Sequence, residues 1–209
     1  MINESDEWEN HWLLKYKHYS KNNTKDLPWD IKKEDKNLKI ILNEISLKDK
    51  KVLELGCGSG FDSKYLCELG FDVTALDISK TAINIAKENN KNNSVKFICG
   101  DYKKDIPDTK YDLIYDRGCL HCNNNDIKNT IELLFQKLNK KGKVIIISGN
   151  HNEKEKYYSR PIPLDVFNLL KNADKYFYIK LLKEINFELA NGYGDSLGWI
   201  ILLEKKCTI

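Results

Sequence analysis

The chain has 209 residues, enough for one domain of ordinary size with a sizeable core, and its 34 basic and 31 acidic residues are mixed along it, for a net charge of +3. No basic block stands out, which argues against nucleic acid or a membrane surface as a partner. The acidic opening MINESDEWENHW is unlike a signal peptide, no apolar run approaches a membrane span, and the six cysteines follow no scaffold spacing. The expectation is a cytoplasmic monomer with reduced thiols.

Residues 5–19 place Trp8, Trp12 and Tyr16 four apart, one stripe of a helix, with Asp6 and Glu7 at its positive end. NNTKDLPWD breaks that helix, and Pro28-Trp29-Asp30 is expected to open a second one running through Leu38, Ile41, Leu42 and Ile45. Lys51–Gly60, KVLELGCGSG, then reads as a buried strand running into a glycine turn, and FDSKYLCELG as a helix with Phe61, Tyr65, Leu66 and Leu69 on one face and Gly70 as its stop. FDVTALDIS is a second strand ending at Asp77, followed by the helix TAINIAKENN with Ser79 as the better cap. SVKFICGDY supplies a third strand with Asp101-Tyr102 after it, and Tyr111–Tyr115 a fourth that delivers Asp116, Arg117 and Gly118.

NDIKNTIELLFQKLNKKG reads as an amphipathic helix ended by Gly142, and KVIIIS as a fully buried fifth strand. HNEKEKYYSRPIPLDVFNLLKN is a polar loop and short helix, a substrate-side insertion with Tyr157, Tyr158 and Arg160 as possible contacts. FYIKLLKEINFELA and LGWIILLEKK pair as the last two strands through the GYGDS turn. The alternation predicts an α/β doubly wound sheet and a single domain over 1–209, with 1–45 as a helical lid on a core of 46–209.

Glycine lets the turn take left-handed φ values and bring bare backbone to a ligand, and its spacing discriminates between ligands. A dinucleotide fingerprint needs G-x-G-x-x-G, but Gly56, Gly58 and Gly60 form G-x-G-x-G, and Phe61 stands at the sixth position. Glu54, Asp77 and Asp101 crowd the strand ends with carboxylates, which repel a pyrophosphate and suit a cationic ligand bearing a ribose and an amine. Asp77 lies about twenty residues past the first glycine, where ribose hydroxyls are read.

Glu54-Leu55-Gly56-Cys57-Gly58-Ser59-Gly60 resembles the first motif of the class I S-adenosylmethionine-dependent methyltransferases, E/D-x-G-x-G-x-G. The resemblance implies a Rossmann-like seven-stranded sheet, mostly parallel, with an antiparallel last strand, helices on both faces and S-adenosylmethionine as cofactor. It implies a cofactor site of Glu54, Gly56, Cys57, Gly58, Gly60, Asp77, Ile78, Asp101, Tyr102 and Asp116, with Asp101 on the adenine amine.

The W-x-x-x-W of Trp8 and Trp12, the Pro28-Trp29-Asp30 step and Asp116-Arg117-Gly118 resemble the thiol, thiocyanate and thiopurine branch. There the N-terminal segment covers cofactor and substrate and the arginine lies beside a sulfur substrate, so the resemblance implies a small thiol or sulfide as acceptor. Trp29 is expected against the sulfonium, by cation–π attraction. The second substrate-side arginine of the thiopurine enzymes has no counterpart in GYGDSLGWIILLEKK.

Arg117, Asp116 and His121 are the candidate catalytic residues; His121 stands in the exit loop of the fourth strand as the best-placed base, whereas His11, His18 and His151 have no such address. Cys119, His121 and Cys122 lack a second cluster to complete a metal site, so no metal is expected. Two alternatives stay open: a protein lysine methyltransferase, with its own Asp-Lys-Gly loop, and a non-catalytic module that binds S-adenosylmethionine.

Overall fold

The computed structural model describes residues 4–19, 27–45, 47, 50–121, 126–150, 164–190, 194 and 196–207, with the side chains of 14–19 left aside. Tyr157, Tyr158, Arg160, His151 and Cys122, the side chains of Tyr16 and His18 and most of the GYGDS turn lie outside the described residues.

Seven strands form one sheet in the order β3-β2-β1-β4-β5-β7-β6. They are β1 (Lys51–Leu55), β2 (Asp72–Asp77), β3 (Lys96–Cys99), β4 (Tyr111–Arg117), β5 (Leu138–Gly149), β6 (Phe177–Phe187) and β7 (Ser196–Lys205), and β7 is antiparallel to both neighbours. The helices are α1 (Glu4–Tyr19), α2 (Lys36–Glu44), α3 (Phe61–Glu68), α4 (Lys80–Asn89), α5 (Tyr102–Asp105), α6 (Ile127–Lys137) and α7 (Val166–Ala173). The chain divides into two compact units, residues 1–49, 56–106 and 188–194 in one and 50–55, 107–187 and 195–209 in the other.

The first unit holds β2 and β3 with α1 to α5. Ser79 caps α4 by accepting from Ala82 N–H at 3.1 Å, as expected. The second helix starts later than Pro28 suggests. Residues 28–34 are turns and bends, with Asp30 N–H on the Leu27 carbonyl at 2.9 Å and Lys32 at φ 54°. The buried Asp35 then caps α2 through Asn37 N–H at 2.7 Å, while its own N–H donates to Asp62 at 2.7 Å. That second bond turns Asp62, Ser63 and Leu66 of α3 inward, leaving Leu69 half exposed instead of on a shared buried stripe with Phe61 and Tyr65.

The second unit is built on β1, β4, β5, β7 and β6. Val52, Leu53, Leu113, Ile114, Ile145, Ile147 and Leu203 are fully buried, the continuous apolar runs that a sheet covered on both faces requires. β4 runs on through Arg117, two residues further than expected, in register with β5 to Ile147. α6 ends at Lys137, not at Gly142, and β5 begins at once. The cause comes from β7: Lys205 Nζ donates to the carbonyls of Phe135 and Leu138, both at 2.7 Å, and sits over the Phe135 ring. Its ammonium satisfies the carbonyl end of the helix, and Lys141, not a glycine, takes the left-handed φ of 58° in the irregular start of β5.

Candidate active site

In the first unit the glycine turn is held from three sides. Gly56, Gly58 and Gly60 all have positive φ, at 64°, 52° and 77°. A Cβ on Gly60 would lie 2.9 Å from Ala86 Cβ and from the Asn90 amide, so only glycine fits α3 this close to α4. Asn90 and Asn89 donate to the carbonyls of Gly60 and Ser59 at 3.0 and 2.9 Å, Cys57 N–H reaches the Leu76 carbonyl at 2.9 Å, and Ser59 donates to Asp30 at 2.5 Å. Asp77 accepts from Gly58 N–H and Ser79 N–H, both at 2.9 Å, so one carboxylate ties the turn to the start of α4. Burial, opposed by those two bonds and assisted by the charge of Glu9, pushes Asp77 up to about 6.

α1 lies on this turn through Trp12, whose ring comes within 3.2 Å of a Cβ built on Gly58 and which is buried with Leu27 and Ala82, with Trp29 packed against that cluster. Trp8 meets Trp29 edge-on at 5.6 Å. Glu9 fastens the helix: its carboxylate accepts from Ser79 Oγ at 2.6 Å, Thr81 Oγ1 at 2.6 Å and Thr81 N–H at 3.1 Å. Burial would raise the Glu9 carboxyl, but these bonds outweigh it and hold it below its ordinary value. Sequence reasoning missed Glu9, because nothing local pairs a residue with partners seventy positions away. Asp101 is a helix cap as well as a candidate ligand: it accepts from Lys103 N–H at 2.9 Å, with Lys104 at 3.6 Å, and opens the single turn of α5 that carries the buried Tyr102. Ile78 is half-buried and its carbonyl takes a weak contact from Cys99 Sγ at 3.8 Å.

In the second unit Glu54 is buried in β1 opposite Tyr115, and Leu55 stands opposite Asp116. Asp116 is fully buried; its Oδ1 accepts from Cys119 N–H at 3.0 Å and Leu120 N–H at 2.9 Å, while Oδ2 has no hydrogen-bond partner among the described residues. Burial, against those backbone bonds and the Arg117 charge, pushes it up to about 7. His121 is 4% exposed and neither ring nitrogen has a hydrogen-bond partner among the described residues. Burial, then the Arg117 charge, depresses it to about 4, so the imidazole is neutral near pH 7. Gly118, at φ 80°, makes room for it, since a Cβ there would lie 3.2 Å from His121 Cε1. Arg117 Cζ lies 4.8 Å above the ring of Phe187, a residue to which the sequence drew no attention.

A Methyltransferase domain family model matches residues 46–184. The chain belongs to this family. It is 36% identical over 107 residues to a Ubiquinone biosynthesis O-methyltransferase of Pelagibacter ubique, covering 47% of this chain and 43% of that one. It is 28% identical over 140 residues to a Malonyl-[acyl-carrier protein] O-methyltransferase of Priestia megaterium, covering 64% and 51%. The chain thus spans about half the length of these curated relatives or less. Among solved structures, the N-methyltransferase NodS of Bradyrhizobium japonicum with S-adenosyl-l-homocysteine superposes with a TM-score of 0.69 at 15% identity, over 91% of this chain and 97% of that one. A protein solved in work on the conversion of a disulfide bond into a thioacetal group in echinomycin biosynthesis gives 0.74 at 17% identity, over 93% and 91%. The chain therefore carries a methyltransferase domain with a Rossmann-like fold. The glycine turn offers bare backbone beside the buried Asp77 carboxylate, a setting that suits a ligand carrying positive charge, as S-adenosylmethionine does.

Proposed function

We propose that the protein methylates a small-molecule acceptor at sulfur, a thiol or sulfide, as a cytoplasmic monomer and a single domain with a helical lid. The observation that carries this reading is the Arg117 guanidinium at the carboxyl end of β4, with the neutral His121 and the buried Asp116 in the same exit turn. A thiol with an ordinary value near 8.5 is only partly ionised at neutral pH, and a guanidinium beside it favours the thiolate. S-adenosylmethionine supplies a sulfonium-bound methyl group for in-line displacement.

The chain's own residues align the acceptor and exclude water, with little acid–base work. Arg117 holds the acceptor as its anion. His121 acts as a neutral hydrogen-bond partner more than as a store for a proton, given its depressed value. Glu54, Gly56, Cys57, Gly58, Gly60, Asp77, Ile78, Asp101, Tyr102 and Asp116 would hold the methyl donor, and Trp29 would supply an aromatic face for its sulfonium. A second reading, an oxygen acceptor, draws support from the two O-methyltransferase relatives. There Asp116, with its raised value and unpartnered oxygen, would take the hydroxyl proton.

The test is methyl-transfer rate against pH on mercaptoethanol and on phenol for the wild type, Arg117→Ala and Arg117→Lys. For a thiolate acceptor, Arg117→Ala raises the acceptor's apparent pKa, so its loss shrinks at high pH, and Arg117→Lys recovers part of the rate. Equal, pH-independent losses in both variants overturn the thiolate mechanism, and faster transfer to phenol selects the oxygen reading.

A further inference from the structure

We propose that Phe187 is a positioning residue for methyl transfer: its ring is the platform that fixes the Arg117 guanidinium, and so sets how strongly the bound acceptor is ionised. The proposal rests on the reading of Arg117 given above. An arginine side chain is long and rotamer-rich, and a flat surface under the guanidinium narrows the directions in which its charge is presented. The ring 4.8 Å below Cζ supplies that surface, by stacking and by cation–π attraction.

Four elements are shaped to put the ring there. Phe187 is the last residue of β6, 6% exposed, opposite Ser196 of β7. Two places along β7, Gly198 has no room for a side chain: a Cβ would lie 2.7 Å from Phe187 Cβ and 2.8 Å from the Ser148 carbonyl oxygen of β5. Gly118, one residue past Arg117, would bring a Cβ to 3.9 Å from Phe187 Cζ and 3.2 Å from the unpartnered His121. Its N–H is anchored on the Ile147 carbonyl of β5 at 3.0 Å. The ring therefore touches the turn that carries the charge, and glycines on both sides let it approach. A core phenylalanine needs apolar neighbours only; this one spends a face on a cation.

The experiment compares wild type, Phe187→Leu, Phe187→Trp and Arg117→Ala. Mercaptoethanol is titrated into each protein with S-adenosylhomocysteine present, and the ionisation midpoint of the bound thiol is read from its ultraviolet thiolate absorbance. KM and kcat are measured in parallel. Phe187→Leu is expected to raise the midpoint by about 0.5–1.5 pH units toward that of Arg117→Ala, and to raise KM at neutral pH about 3- to 30-fold, with a smaller effect on kcat. Phe187→Trp, which keeps an aromatic face, is expected to stay near the wild type. A wild-type midpoint in Phe187→Leu, beside a raised one in Arg117→Ala, overturns the platform alone. An unmoved midpoint in Arg117→Ala overturns the thiolate reading, and the platform with it. Should Phe187→Leu fail to fold, Phe187→Met serves in its place, judged by the same midpoints.

Discussion

Replacing Asp116 by Asn should flatten the acid limb of the protein's stability curve, and the size of the change follows from three buried groups. Asp77 and Asp116 are raised from an ordinary 3.8 to about 6 and about 7, and His121 is depressed from 6.5 to about 4. Between about pH 4 and 6 the folded chain therefore binds two protons, one on each aspartate, that the unfolded chain has released. The unfolded chain binds one, on the histidine, that the folded chain refuses. The aspartates contribute stability at low pH that is lost as pH rises through their folded values; the histidine contributes stability that appears as pH rises. The net excess of one proton in the folded state means that stability falls by about 1.4 kcal/mol per pH unit across this window. Asp116→Asn keeps a carbonyl oxygen for the Cys119 and Leu120 N–H groups and removes one of the two protons, so its curve should be level. His121→Leu removes the opposing term, and its curve should fall about twice as steeply as the wild type. Urea unfolding at half-unit pH steps measures all three slopes. Parallel curves for the wild type and Asp116→Asn would show that Asp116 is charged throughout, and the account of its burial would be wrong.

Glu9→Ala should loosen α1 without unfolding the rest. Hydrogen bonds to a charged group are worth about 1.5–3 kcal/mol, so amide exchange in residues 4–13 should speed up by roughly 10- to 100-fold, and unchanged exchange would remove Glu9 from the docking of α1. Gly58→Ala should destabilise by about 1–2 kcal/mol, from a left-handed φ of 52° and a methyl group 3.2 Å from Trp12. Combining it with Trp12→Ala should recover the steric part and leave the backbone part; thermal unfolding of the two variants separates them.

What could be read in the sequence was what short-range physics specifies. A glycine turn after an apolar run, Ser79 before a helix and Asp116-Arg117-Gly118 at a strand end are patterns within ten residues, and each lies where it was expected. Helix boundaries failed where a distant group decided them. Gly142 looks like the end of α6, but Lys205, 68 or so residues downstream of Lys137, closes the helix early. Pro28 looks like the start of α2, whereas Asp35 was a cap signal in plain sight, an aspartate just ahead of the apolar periodicity. The Arg117–Phe187 stack and the Glu9 fastening could not be read at all, because strand order and helix docking, not spacing, bring those partners together.

The place of β7 has a consequence for how the chain matures. β6 precedes β7 in sequence, yet β7 lies between it and β5, with Val144–Ile147 of β5 bonded to Ile200–Leu203. During synthesis the β5 edge, one of the most apolar segments of the molecule, has no permanent neighbour until Ser196–Lys205 has been made, and β6 waits beside a vacant lane. The same late strand carries Gly198, which seats Phe187, and Lys205, which ends α6. A ribosome that stalls anywhere before residue 196 leaves the apolar β5 edge uncovered, so whether the nascent chain meets quality control with an adhesive strand edge is decided by these ten residues.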